Sequence, residues 1–312
     1  TEARAPASSS TSRTLFDAVF GLRRAMLLLT VSVLTYAADV MPAWNGSAAC
    51  PRVCQCLSRD TVRCDRAGLR ALPGEIATST RALSLSSNFL RVLTTSMFRN
   101  LTALRSLWLD GNNLTFLHPG TFSTLSSLRE LGLRRNARLT SLHANAFRGL
   151  LNLASLDLSF CNIFEIHPLV FSHLPSLEAL DLGSNNMRRD SLKDLKTLYE
   201  LNLRKNPIWI IQRDAFTALS GLGVLNLGHN RLSDLPNQLF KGLIQLKTLH
   251  LEANRITRKL TGCPSSPGPA DESACTDSDA SAASRLPAVS DALVPAVLAW
   301  CLGKDVGHIH LP

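Results

Sequence analysis

Along most of this chain, apolar and polar positions fall on one repeated grid. Leu104, Leu107 and Leu109 are followed by Asn112, and the pattern leucine-x-x-leucine-x-leucine-x-x-asparagine starts at Thr80, Leu104, Leu128, Leu153, Leu177, Leu198, Leu222 and Leu246. The steps between starts are 24, 24, 25, 24, 21, 24 and 24 residues. Within each unit the leucine-x-leucine segment alternates with period two, which predicts a short strand whose leucines share one side. A unit this small cannot bury an apolar face alone. Stacked neighbours bury it for one another, so the grid predicts a solenoid with a parallel concave sheet and an irregular convex side.

The slot after the strand holds Asn88, Asn112, Asn136, Cys161, Asn185, Asn206, Asn230 and Asn254. An amide there can donate to and accept from backbone that the bend would leave unpaired. Phe98, Phe122, Phe147, Phe171, Phe216 and Phe240 recur late in the unit and are expected to fill the convex interior. The third unit carries one extra residue, between Asn136 and Leu139, and the fifth is three short, between Met187 and Leu192. Cys161, the one departure in the asparagine slot, is read as a small buried thiol.

Residues between the leucines face away from the core. Their central column reads Ser84, Trp108, Gly132, Asp157, Asp181, Asn202, Asn226 and His250. An outward tryptophan among small neighbours is a candidate binding anchor; packing on Arg105 or Arg129 is the alternative. The candidate partner-binding set is Trp108, Asp157, Asp181, Asn202, Asn226 and His250, with the paired cations Arg134, Arg135, Arg204 and Lys205 on one rim. Those pairs occupy matching slots three repeats apart, about 14 Å in a stacked sheet, a spacing that suits an acidic loop or a sulfated glycan, although a simply solvated rim is the preferred reading.

His118, His143 and His167 also share a slot. They could line a metal, but the apolar-His-x-x-x-Phe phrase reads better as a packing turn, and no metal or other cofactor is expected. Asp157 beside Asp181 suggests a paired-carboxylate enzyme. No nucleophile, base and orienter converge with them, and an open sheet is not a dry cleft. The chain is therefore read as a binding protein, not an enzyme.

The ends differ from the middle. Arg23 and Arg24 precede "AMLLLTVSVL" and the small residues Ala37 and Ala38, the form of a secretion signal. Residues 1–38 are read as an upstream extension with a signal peptide, and residues 39–79 as a linker and cysteine cap. Repeats occupy 80–256, the last incomplete, and 257–312 are read as a disordered or aberrant tail. That tail includes the Pro- and Ser-rich "TGCPSSPGPADESACTDSDASAAS" and a short apolar run, Leu286 to Leu302, with Asp291 and Pro295 inside it. It offers no evident membrane anchor. Cys263, Cys275 and Cys301 lie there without evident partners.

Four of the eight cysteines, Cys50, Cys54, Cys56 and Cys64, crowd before the first repeat. They allow three disulfide connectivities, or a zinc site, which an oxidising compartment disfavours. Sequons at Asn45, Asn100 and Asn113 fit the same extracellular compartment. The net charge of +9 admits acidic partners, but the cations are scattered or paired. No nucleic-acid motif is present, and nucleic acid is not an expected partner.

From Cys50 to Ile256 the chain resembles extracellular leucine-rich repeat proteins. The phrases "CPRVCQCLSRDTVRC", "VRCDRAGLRALP", "RRNARLTSLHANAFRGLLNLASLDLSFCNI" and "NRLSDLPNQLFKGLIQLKTLHLEAN" carry the likeness. Within that family it is most similar to the nyctalopin group, with the Nogo receptor group next. The resemblance implies a horseshoe leucine-rich repeat solenoid of α/β type. It implies a cap in which Cys50 pairs with Cys56 and Cys54 with Cys64. It also implies adhesion or scaffolding at the cell surface, with a protein ligand or receptor complex as partner; for the nyctalopin group the setting is a retinal synapse. The alternative on the same solenoid is a secreted matrix component that binds collagen or glycosaminoglycan.

Overall fold

The leucine-x-leucine core of each grid becomes a strand of three residues. A computed structural model describes residues 50–187, 195–236, 239–256 and 308–310. The expected signal peptide, Asn45, the residues just after Met187 and the three tail cysteines lie outside them. Strands β1 (Gln55–Cys56) and β2 (Thr61–Arg63) belong to the cap. The repeats supply β3 (Ala82–Ser84), β4 (Ser106–Trp108), β5 (Glu130–Gly132), β7 (Ser155–Asp157), β9 (Ala179–Asp181), β10 (Glu200–Asn202), β11 (Val224–Asn226) and β12 (Thr248–His250). Return segments add the short pair β6 (Ser141–Leu142) and β8 (Glu165–Ile166). From the expected tail, β13 (His308–His310) is described, paired in parallel with β12.

The main sheet runs β1-β2-β3-β4-β5-β7-β9-β10-β11-β12-β13. All its pairings are parallel except β1 with β2. The register has no slip: Leu83, Leu107, Leu131, Leu156, Leu180, Leu201, Leu225 and Leu249 stand side by side. Each of these leucines is buried, and each such burial contributes about 1.5–3 kcal/mol. A slip of one residue would turn the whole column to water, which is why the grid fixes the pairing. Behind the sheet the phenylalanine column is buried, with Phe98 and Phe122 stacked at 6.1 Å and Phe216 and Phe240 at 6.3 Å.

The chain leaves each strand through a left-handed residue. Ser87, Arg135, Phe160, Ser184, Lys205, His229 and Ala253 share φ between 53° and 59°, and Gly111 holds the same slot at 63°. Such a φ is costly for a residue with a Cβ. It persists because the N–H in that slot pairs with the next repeat, as from Arg135 to the Ser159 carbonyl at 2.9 Å. The turn then points the asparagine inward. Asn112 Nδ2 donates to the Leu85 and Leu109 carbonyls at 3.0 and 2.9 Å, and its Oδ1 accepts from Leu90 N–H at 3.1 Å. The same bonds recur at Asn88, Asn136, Asn185, Asn206, Asn230 and Asn254, so each amide joins its own repeat to the one before.

Cys161 and the extra residue explain each other. A thiol donates to the Leu133 carbonyl at 3.1 Å but offers no amide oxygen to the preceding repeat. That repeat is the one lengthened by a residue, and the added turn lets Leu139 N–H bond to the Asn136 carbonyl at 2.9 Å instead. The acceptor lost at position 161 is therefore not needed. Cys161 is fully buried, and burial pushes its thiol up to about 12, which makes it chemically inert.

At the start of the sheet, disulfides join Cys50 to Cys56 and Cys54 to Cys64. The zinc alternative is thereby removed. Because β2 pairs with β3, the crosslinked hairpin is continuous with the repeats and covers the first leucine layer.

Candidate functional site

The central column faces away from the leucine core, as alternation requires, but most of its polar members are bonded to their own strands. Asp157 Oδ1 accepts from the Ser159 N–H at 2.9 Å and hydroxyl at 2.6 Å. Asp181, Asn202 and Asn226 each accept from the N–H two residues on, at 2.7, 3.0 and 3.0 Å. Their first duty is to satisfy backbone that leaves the sheet at the left-handed turn. Asp157 and Asp181 stand opposite each other in β7 and β9. Burial, and then the carboxylate of Asp157, push Asp181 up to about 7. The pair thus holds a proton that an isolated aspartate would release.

Trp108 is neither free nor buried. Its indole Nε1 donates to Glu130 Oε1 at 3.0 Å on the next strand, and its Cδ1 lies above Gly132. A Cβ at position 132 would stand 2.9 Å from that carbon and 2.7 Å from Asp110 Oδ1. Glycine there lets the ring lie down, and the ring remains half exposed. The contacts that cover one side of the ring come from Glu130 and Gly132 of the next repeat. Tyr199 repeats the arrangement over Gly223, whose added Cβ would meet the ring at 2.3 Å. Sequence inspection passed over Tyr199, although a signal existed: an aromatic followed 24 residues later by glycine in the same slot.

The cationic rim is engaged internally. Arg134 lies over the Phe160 ring at 4.7 Å and Arg135 at 5.8 Å. Arg204 bonds His229 Nε2 at 2.8 Å and pairs with Glu252 at 3.6 Å. His250 stands 3.7 Å from the same carboxylate. Burial alone would raise Glu252, but the hydrogen bond from His250 and the nearby charges of His250 and Arg204 hold it below its usual value. Lys205 is exposed, in the left-handed slot. The exposed Phe160 was a second residue the sequence did not single out; it shows only once the turn places it beside the arginines.

The histidine slot behaves as a packing turn. His143 and His167 accept from the N–H two residues ahead through Nδ1, at 3.4 and 3.1 Å, and their rings lie 6.2 Å apart, tilted by 38°. Among the described residues no group of three or more His, Cys, Asp or Glu side chains could hold a metal. No helix there is long and apolar enough to cross a membrane. Asn100 and Asn113 of the sequons are exposed.

Comparison with known proteins fits this geometry. The family described as Leucine rich repeat matches residues 78–137, 132–187 and 196–256, more than half of the chain. No curated protein matches it. Among similar solved structures is the crystal structure of a TLR13-ssRNA13 complex, 33% identical, covering 58% of this chain and 30% of that one at a TM-score of 0.48. This chain thus spans less than a third of that protein's length, and a likeness so loose says nothing about ligands.

Proposed function

Because this chain belongs to the leucine-rich repeat family, we propose that it is an extracellular or cell-surface recognition module that grips a protein ligand on the open face of its sheet. The half-exposed Trp108 carries this reading. It is held on a rigid strand by Glu130 and by the space over Gly132, so its ordering cost is already met before binding. Asp157, Asn202 and His250 continue the same face with partly exposed side chains, Asp181 and Asn226 of that column are buried beside them, and Tyr199 adds a second exposed aromatic. The paired disulfides and exposed sequon residues Asn100 and Asn113 support an oxidising, glycosylating compartment.

The finer reading is a synaptic organiser of the nyctalopin kind, which positions a signalling complex in the receiving cell. Its support is the shared phrase around the lengthened third repeat and Cys161.

The test is a binding screen of the oxidised, secreted chain against individually expressed receptor ectodomains, with Trp108→Ala beside it. A saturable partner should emerge, and its affinity should fall at least tenfold, about 1.4 kcal/mol, while the melting temperature of the variant stays close to the parent. A partner bound equally well by both proteins would remove Trp108 and this face from the account.

A further inference from the structure

The residue one place before each strand forms a column of its own along the sheet edge. In spatial order it reads Asp60, Arg81, Arg105, Arg129, Ala154, Glu178, Tyr199, Gly223 and Lys247. Backbone bonds fix the alignment: the Arg81 carbonyl accepts from Arg105 N–H at 2.7 Å, and the Arg105 carbonyl from Arg129 N–H at 2.7 Å. The three arginines are exposed. They rise in single file at about 4.8 Å per strand, a run of about 10 Å. Arg81 leans on Asp60 at 4.0 Å. Among the described residues neither Arg105 nor Arg129 has a carboxylate within ion-pair distance. This contrasts with Arg134, which lies over the Phe160 ring, and with Arg204, which pairs with Glu252.

The neighbouring slot reads Ala82, Ser106, Glu130 and Ser155, so hydroxyls and one carboxylate lie beside the guanidinium file. The indole of Trp108 reaches Glu130, the chain neighbour of Arg129. A ligand that fits must therefore carry spaced anionic groups, with hydroxyls between them and an apolar face for the indole.

We propose that Arg81, Arg105 and Arg129, with Ser106 and Trp108 beside them, bind a sulfated glycosaminoglycan laid across the strands. Sulfates take the forked guanidinium donors. Sugar hydroxyls meet Ser106 and Glu130, and a pyranose face meets the indole. A nucleic-acid backbone fits worse, since its unbroken phosphates would pass the carboxylate of Glu130. The site does not depend on a protein ligand for the rest of the face.

The experiment measures binding of the oxidised chain to heparin, to desulfated heparin, to single-stranded RNA and to polyglutamate over a salt series. Heparin should bind tightest and desulfated heparin should lose most of the affinity. The Arg105→Gln/Arg129→Gln double variant should bind heparin at least tenfold more weakly. Its slope of log affinity against log salt should fall by about two, one per released contact. Arg134→Gln/Arg135→Gln should bind as the parent does. Circular dichroism should show the Arg105/Arg129 variant folded, because both side chains are exposed, and it also checks the fold of the control, in which Arg134 is partly buried over Phe160. Equal heparin affinity in the Arg105/Arg129 variant would overturn the proposal. So would tighter binding of RNA or polyglutamate than of heparin. The receptor screen turns on a protein ligand and on Trp108→Ala, not on the arginine file, so failure here leaves that screen untouched.

Discussion

Repeats one to three and repeats four to six share one backbone and one leucine register, yet their open faces carry opposite chemistry. The first stretch shows Arg81, Arg105 and Arg129 with an indole lying over Gly132. The second shows Asp157, with the buried Asp181 beside it, and Glu178 on the sheet edge. The seam between them is where the lengthened repeat meets Cys161. The contrast teaches that this fold fixes only its inward positions. Outward slots are constrained where a backbone N–H needs an acceptor, as at Asp157, Asp181, Asn202 and Asn226, and are otherwise open to selection for binding.

The largest expected effect lies in the acidic stretch. Asp181 keeps its proton to about pH 7 in the folded chain, whereas an unfolded aspartate releases it near pH 4. Between those values the folded state binds more protons, so stability is present in acid and falls as pH rises through the window. Urea midpoints measured from pH 4 to 8 should decline, with a loss on the order of 2–4 kcal/mol. Asp181→Asn should flatten that decline, and asparagine suits the slot, as Asn202 and Asn226 show. A parent midpoint that rises toward pH 8 would contradict the assignment.

Next comes the basic stretch. Gly132→Ala should cost about 1–3 kcal/mol, because its methyl would meet Asp110 and Trp108. The indole should leave Glu130, changing tryptophan emission, and that change should vanish in a Trp108→Phe background. Unaltered emission would show that the ring does not depend on the glycine.

The smallest effect sharpens the seam. Cys161→Asn should cost about 1 kcal/mol, since the new amide oxygen finds no donor. Deleting Ala137 should free the Leu139 N–H and cost a similar amount. Together the two changes should cost less than their sum, with a coupling of about 0.5–1 kcal/mol in a double-mutant cycle. Additive losses would mean that the extra residue and the cysteine are unrelated.

Much of the fold was legible because its determinants are inward and periodic. The leucine and asparagine slots state both strand position and register, and their bonding partners lie one repeat away. The cap pairing came from resemblance, and the disulfides match it. The outward face was less legible, because orientation does not reveal what a side chain meets across the sheet. Trp108 was read correctly as outward-facing, yet its contacts with Glu130 and Gly132 depend on two residues of the next repeat. Arg134, Arg135 and Arg204 looked like a free rim in sequence; Phe160 and Glu252, which engage them, occupy slots that carry no signal of their own. The arginine file was overlooked because its members lie 24 residues apart and only the ladder brings them together.

The two crosslinks of the cap close short spans, with sequence separations of 6 and 10 residues. Short loops close within microseconds, so oxidation at this end needs no other part of the chain to be in place. Once oxidised, the crosslinked hairpin holds its own shape without help from the coils that follow. Its edge strand then serves as a mould for β3, and each finished coil becomes the mould for its successor. The cap therefore gives the coils one covalently ordered end to build against, at the amino side.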